Sequence, residues 1–226
     1  MTSNKDTKTI TDKFDKKRIG ELPRTLFTGR IITILSEAEA EKAVNYLMTQ
    51  PILGFDTETR PCFHKGKNHK VALLQVSTQD TCFLFRLNRI DMPRCIIRLL
   101  EDRTITKVGL SLHDDLRALN QRKEFISGTF VELQHEVREI GIEDMSLQKI
   151  YANLFGEKIS KSQQLSNWEA DVLTEAQQRY AATDAWACVK ILEEVKRLKK
   201  TGLYTLIKTP VEPVPNKTSA NCQEQV

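Results

Sequence analysis

Residues 51–59 read Pro51-Ile52-Leu53-Gly54-Phe55-Asp56-Thr57-Glu58-Thr59. Pro51 stops any helix arriving from upstream, and the apolar run after it reads as a strand over 52–58 with a buried first half. Side chains two apart on a strand share a face, so Asp56 and Glu58 emerge side by side at its end. Two adjacent anions repel by roughly a few kcal/mol at intermediate dielectric, a cost that a hard divalent cation between them removes. An isolated Asp-x-Glu more often just ends a strand in a solvated turn. The pair gains meaning only from the rest of the chain.

Upstream, Arg30–Leu35 is β-branched and runs into Ser36-Glu37-Ala38-Glu39, a capping box that opens a helix to about Met48. Downstream, strands are expected over Lys70–Ser77 and Thr81–Arg86, and the short polar turn at Gln79-Asp80 makes them an antiparallel pair. A helix over Arg94–Glu101, a strand over Thr106–Leu110, a helix over about Asp114–Gln121 and a strand over Gly128–Glu132 follow. From Leu133 on, the pattern is helical through Gln134–Ile140, Ser146–Phe155 and a long helix from about Thr174 to Lys199. Hairpin-like strands followed by alternation predict an α/β domain, a mixed sheet flanked by helices.

The 226 residues suit one domain with trimmings. Residues 1–24 mix lysines and arginines with Asp6, Asp12, Asp15 and Glu21 and hold few large apolar side chains, the composition of a flexible arm. Pro210, Pro213 and Pro215 open a polar second tail. The expected division is an arm over 1–27, a domain over 28–205 and a tail over 206–226. The longest unbroken apolar run, Ala185 to Val189, is far short of the ~20 residues that span a bilayer. The charged stretch Met1–Lys8 stands where a secretory signal would place its apolar segment, so a cytoplasmic protein is expected. Five cysteines without a Cys-x-x-Cys pair fit reduced thiols rather than a disulfide framework or a zinc site. A net charge of +4 permits an anionic partner without predicting one. No Gly-x-Gly-x-x-Gly turn follows any strand, which disfavours a dinucleotide-binding oxidoreductase.

Two further acidic segments stand out. Tyr180-Ala181-Ala182-Thr183-Asp184 lies in a helix that opens with Thr174-Glu175-Ala176-Gln177, a second capping box. Tyr180 and Asp184 are one turn apart and share a face, and the small residues around them let that face approach another element closely. In His113-Asp114-Asp115-Leu116 one aspartate is able to cap the following helix and the other to bind a metal; spacing alone does not say which does which.

Together the segments Phe55-Asp56-Thr57-Glu58-Thr59, Lys107-Val108-Gly109 with Asp115-Leu116, and Tyr180-Ala181-Ala182-Thr183-Asp184-Ala185 resemble, in order and spacing, the DEDDy 3′-to-5′ exonucleases of the ribonuclease D family, and most of all its Werner-type exonuclease domains. Lys70-Val71-Ala72-Leu73-Leu74-Gln75-Val76, Lys161-Ser162-Gln163-Gln164-Leu165-Ser166-Asn167-Trp168 and Leu173-Thr174-Glu175 add to the match, which covers about residues 30–200. The resemblance implies a ribonuclease H-like fold with a mixed five-stranded sheet and two divalent metals, Mg²⁺ or Mn²⁺. It implies Asp56, Glu58, Asp115 and Asp184 as ligands: Asp56 to both ions, Glu58 and Asp184 at the site of the attacking water, Asp115 at the second ion. Aligning Lys107 and Val108 selects Asp115 over Asp114, which is left as the cap. Tyr180 stands where the sister group has histidine. With an ordinary pKa of about 10 it suits orienting water better than accepting its proton.

The loop Arg60-Pro61-Cys62-Phe63-His64-Lys65-Gly66-Lys67-Asn68-His69-Lys70 is basic and carries no acid, and is placed to meet phosphates beside the metals. Candidate contacts to a nucleic-acid 3′ end, DNA or RNA, are Thr57, Thr59, Arg60, Phe63 as a base-stacking ring, Lys65, Lys67, Lys161, Gln164 and Trp168. A silent nucleic-acid-binding or adaptor protein on this fold is the alternative, but it would be expected to have lost acidic ligands, and all four are present.

Overall fold

A computed structural model describes residues 7–62 and 69–210. The chain forms, in order, β1 (Lys8–Thr11), a 3-10 helix (Lys16–Glu21), β2 (Arg30–Ile34), α1 (Glu37–Leu47), β3 (Ile52–Glu58), β4 (Leu73–Ser77), β5 (Thr81–Phe85), α2 (Leu87–Ile90), α3 (Arg94–Glu101), β6 (Thr106–Gly109), α4 (Leu112–Arg122), β7 (Phe130–Glu132), α5 (Leu133–Arg138), α6 (Leu147–Phe155), α7 (Glu175–Thr201) and β8 (Tyr204–Ile207).

The main sheet has the order β2-β5-β4-β3-β6-β7. β4 runs antiparallel to both of its neighbours, β5 and β3, whereas β2, β6 and β7 join in parallel. The sheet is therefore mixed, as expected, with six strands instead of the five that the resemblance implies. The additional strand is the three-residue β7 beside β6, within the segment Gly128–Glu132 whose own pattern predicts a strand.

Both capping boxes form. Ser36 and Glu39 close the start of α1, and Thr174 and Gln177 the start of α7, so these helices begin where side chains satisfy the free N–H groups. Strand alternation then sorts β3 between two layers. Leu53 and Phe55 face a core shared with α1 and α3, where Phe55 meets Phe130 edge to face at 5.3 Å. Gly54 faces α7 instead, and a Cβ placed on it would lie 1.9 Å from the Ala185 carbonyl oxygen. Beneath α7, Ala181 and Ala182 pack on Leu73, Cys82 and Leu84. Among the described residues no helix is long and apolar enough to cross a membrane.

Residues 8–27, expected as a flexible arm, are folded. β1 pairs in parallel with β8, Ile10 is fully buried, and Lys8 forms an ion pair with Glu194. Phe14 and Ile19 pack on Ala152 of α6, and Phe27 N–H donates to Thr183 Oγ1 (3.0 Å). Composition misled because it averages over the segment: its few apolar residues are spread along it, and they are buried in three different places, Ile10 beside α7, Phe14 and Ile19 together on α6, and Phe27 beneath α7. At the other end β8 extends the order past 205, and Thr209 is tied to Asp12 through N–H and Oγ1 at 2.9 and 2.6 Å. Residues 211–226 of the expected tail lie outside the described residues. If the arm is integral, Ile10→Ala should cost about 2–4 kcal/mol, or roughly 5–15 °C in Tm, by thermal denaturation. A flexible arm would leave Tm unchanged.

Candidate active site

β3 carries Asp56 and Glu58 on the face that Gly54 opens to α7. Because Gly54 lets that helix approach the strand backbone to backbone, Asp184 of α7 comes down beside them. Carboxylate oxygens of Asp56, Glu58 and Asp184 all lie within 4.8 Å of one another. Asp115 projects from the first turn of α4 and accepts a 2.5 Å hydrogen bond from Thr57 Oγ1. Its field acts on both Asp56 and Glu58. Four acids from three separate segments thus share one neighbourhood.

The start of α4 was expected to be capped by Asp114. The cap comes from β7: the Glu132 carboxylate accepts from the N–H groups of Ser111 (3.0 Å) and Leu112 (2.8 Å). Ser111 itself is left-handed (φ 61°) and supplies no capping bond. A residue twenty positions away in sequence therefore anchors the helix that presents Asp115, and no local motif announces it.

Asp56, Glu58, Asp184 and Tyr180 line a cleft of about 370 Å³ together with Thr57, Lys161 and Gln164, and Asp115 stands behind Thr57 outside that lining. Ser146, Gln148 and Ser160 also line it, and nothing in their local sequence signals that placement. The Tyr180 hydroxyl lies beside Asp184 and steadies its carboxylate. Behind it, Trp168 is wholly buried, with ring centroids 6.0 Å apart. Trp168 is therefore a support for Tyr180 and not a substrate contact. Thr59, half-buried past the end of β3, does not line the cleft, and Arg60 is turned to Glu169 (3.3 Å), which His69 also meets at 3.0 Å. Phe63, Lys65 and Lys67 lie outside the described residues.

Burial, followed by the fields of Asp115, Glu58 and Asp184, pushes the Asp56 carboxyl well above the ordinary range. Burial with the fields of Asp184 and Asp115 raises Glu58 to about 9. Asp115 rises to about 7 through burial, against the Thr57 hydrogen bond. Asp184 also rises to about 7 through burial, against the Tyr180 hydroxyl and the Lys161 charge. Tyr180 is pushed up by burial and by Asp184 and Glu58, so its phenol stays protonated.

An all-oxygen, all-carboxylate donor set fits hard divalent cations such as Mg²⁺ or Mn²⁺ better than zinc. Burial is the largest cause at all four acids, and at Asp56 and Glu58 the fields of the neighbouring acids add to it, a cost that a bound cation would offset. Since the folded protein binds protons here that the unfolded chain has released, these groups' contribution to stability falls as pH rises from about 4, the ordinary carboxyl range, to about 9. Added Mn²⁺ competes with those protons. The Mn²⁺-induced rise in Tm is therefore expected to be larger at pH 9 than at pH 6, by differential scanning fluorimetry.

The 3′-5′ exonuclease family model matches residues 31–199. The bifunctional 3′-5′ exonuclease/ATP-dependent helicase WRN of Mus musculus is 30% identical over 204 residues, covering 86% of this chain and 15% of that protein. DNA polymerase I of Aquifex aeolicus is 32% identical over 151 residues, covering 67% of this chain and 25% of that protein. The chain thus spans a quarter or less of the length of these two relatives. In fold it resembles the Aedes aegypti Nibbler EXO domain, with a TM-score of 0.69 at 20% identity over 77% of this chain and 91% of that one. Escherichia coli RNase D superposes with a TM-score of 0.65 at 19% identity over 77% of this chain and 47% of that one. The sheet is that of ribonuclease H-like exonuclease domains, and the family match takes in the segments bearing Asp56, Glu58, Asp115 and Asp184. The chain belongs to the 3′-5′ exonuclease family.

Proposed function

We propose that the chain hydrolyses the terminal phosphodiester at the 3′ end of a nucleic-acid strand, releasing nucleotides one at a time with the help of two divalent ions, Mg²⁺ or Mn²⁺. The observation that carries this reading is the convergence of Asp56, Glu58 and Asp184 within 4.8 Å at one cleft, with Asp115 beside them. Asp56, Glu58, Asp115 and Asp184 would hold the ions. When bound, such ions neutralise charge on the scissile phosphate and generate a nucleophile at neutral pH.

The protein's own side chains supply the rest. Tyr180, kept protonated beside Asp184, donates a hydrogen bond and orients water at the scissile bond without acting as a base. Lys161, whose charge is felt at Asp184, and Gln164 offer donors to the phosphate or sugar from the lining of the cleft. The cleft volume of about 370 Å³ suits one small ligand unit at a time, which favours a terminal nucleotide over an internal segment of duplex. A complete set of four carboxylates favours hydrolysis over a silent adaptor role.

The test is a Mg²⁺ and Mn²⁺ titration of matched 3′-labelled and 5′-labelled DNA and RNA strands, single and duplex, with Asp56→Ala as control. Stepwise shortening from the 3′ end that depends on metal is expected. Degradation untouched by chelator, or starting from the 5′ end, would overturn the reading.

A further inference from the structure

Gln75 stands in the middle of β4, directly opposite Asp56 of β3 in the antiparallel register. It is fully buried, and neither its Nε2 nor its Oε1 has a hydrogen-bond partner among the described residues. A buried amide left so is costly and rare in a folded protein. The strand neighbours beside it on this face are apolar. Its partner on β5 is Leu84, and Leu73 of its own strand and Ala181 and Ala182 of α7 close the same layer. Ser77, two residues along the strand, has its hydroxyl committed to the Thr78 carbonyl (2.9 Å). Residues opposite one another across an antiparallel pair project to the same face with Cβ atoms about 5 Å apart. The polar group facing this amide from the adjacent strand is therefore the Asp56 carboxylate.

We infer that Gln75 is a positioning residue for Asp56: its buried amide N–H holds one carboxylate oxygen and leaves the other turned toward Glu58 and Asp184. The bond is completed by rotation of the carboxylate as the acidic site takes up cations, the arrangement by which partners behind a ligand orient it. Backing from the sheet also explains why a polar residue occupies a strand position whose neighbours are apolar. This inference rests on the metal-dependent reading proposed above.

The test is Mn²⁺ binding by isothermal titration calorimetry to the wild type, Gln75→Met, Asp56→Ala and the double variant, with metal-free Tm measured for each. Gln75→Met keeps the volume and removes both polar atoms. As a positioning residue, Gln75 should make Mn²⁺ binding roughly 10–100-fold weaker when replaced, with metal-free Tm equal or higher. The same substitution added to Asp56→Ala should bring no further loss, because its effect passes through Asp56. Gln75→Leu serves as a second apolar variant if the first does not fold. Unchanged Mn²⁺ affinity in the folded variant, or an equal further loss on the Asp56→Ala background, would overturn the inference and leave the proposed function standing. A wild type that binds no Mn²⁺ would overturn both.

Discussion

Asp56→Asn is expected to lower metal-dependent 3′ release on the order of 10³-fold or more while leaving the protein folded. The substitution keeps the shape of the side chain and removes the carboxylate that lies within 4.8 Å of those of Glu58 and Asp184 and within the field of Asp115. A two-metal site depends on that negative charge to hold its ions, so the effect falls on the chemical step and on metal uptake together. The same change has the opposite sign for stability. Asp56 is held well above the ordinary carboxyl range by burial and by three neighbouring acids, so its ionised form strains the metal-free protein. Removing it should raise the metal-free Tm at pH 9 and do so less at pH 5, where the wild-type group is already protonated. A gel assay of labelled strands with paired melting curves checks both signs. A variant that keeps activity would remove Asp56 from the reaction. Tyr180→Phe, by contrast, should slow release by about 10–100-fold without abolishing it, since it deletes one orienting hydrogen bond and no ligand.

Gly54→Ala is the second large effect, and it reaches the site through the backbone. The added Cβ would stand 1.9 Å from the Ala185 carbonyl oxygen and 2.8 Å from its carbon. Both are main-chain atoms of α7 and cannot swing aside as a side-chain tip would. The helix must lift or the strand must bend, an overpacking cost of about 1–3 kcal/mol and roughly 2–12 °C in Tm. Asp184 lies next to Ala185, and Asp56 lies two residues beyond Gly54. A shift of about 1 Å between them is enough to cost on the order of 10²-fold in rate. The expected result is a folded, less stable protein whose activity falls far more than its melting temperature suggests. Full activity in the variant would show that the approach of α7 to β3 does not set the geometry of the acids.

Local chemistry was legible before any fold was known. Period two put Asp56 and Glu58 on one face, one helical turn put Tyr180 beside Asp184, and the boxes at Ser36–Glu39 and Thr174–Gln177 marked where two helices begin. These features depend on residues within a few positions of each other, so spacing alone determines them. The placements that sequence missed all depend on partners far along the chain. Glu132 caps α4 from another strand, Trp168 turns inward to support Tyr180, Arg60 is drawn to Glu169, and Gln75 comes to lie opposite Asp56. Residues 8–27 make the point for whole segments. Their composition offers too little apolar surface to order an isolated peptide, yet Ile10, Phe14, Ile19 and Phe27 are each buried against a surface that the rest of the chain supplies. The sequence by itself determined which side chains are able to hold a cation. Only the tertiary structure decided which residues fix those side chains in place, because that depends on contacts between segments that share no local pattern.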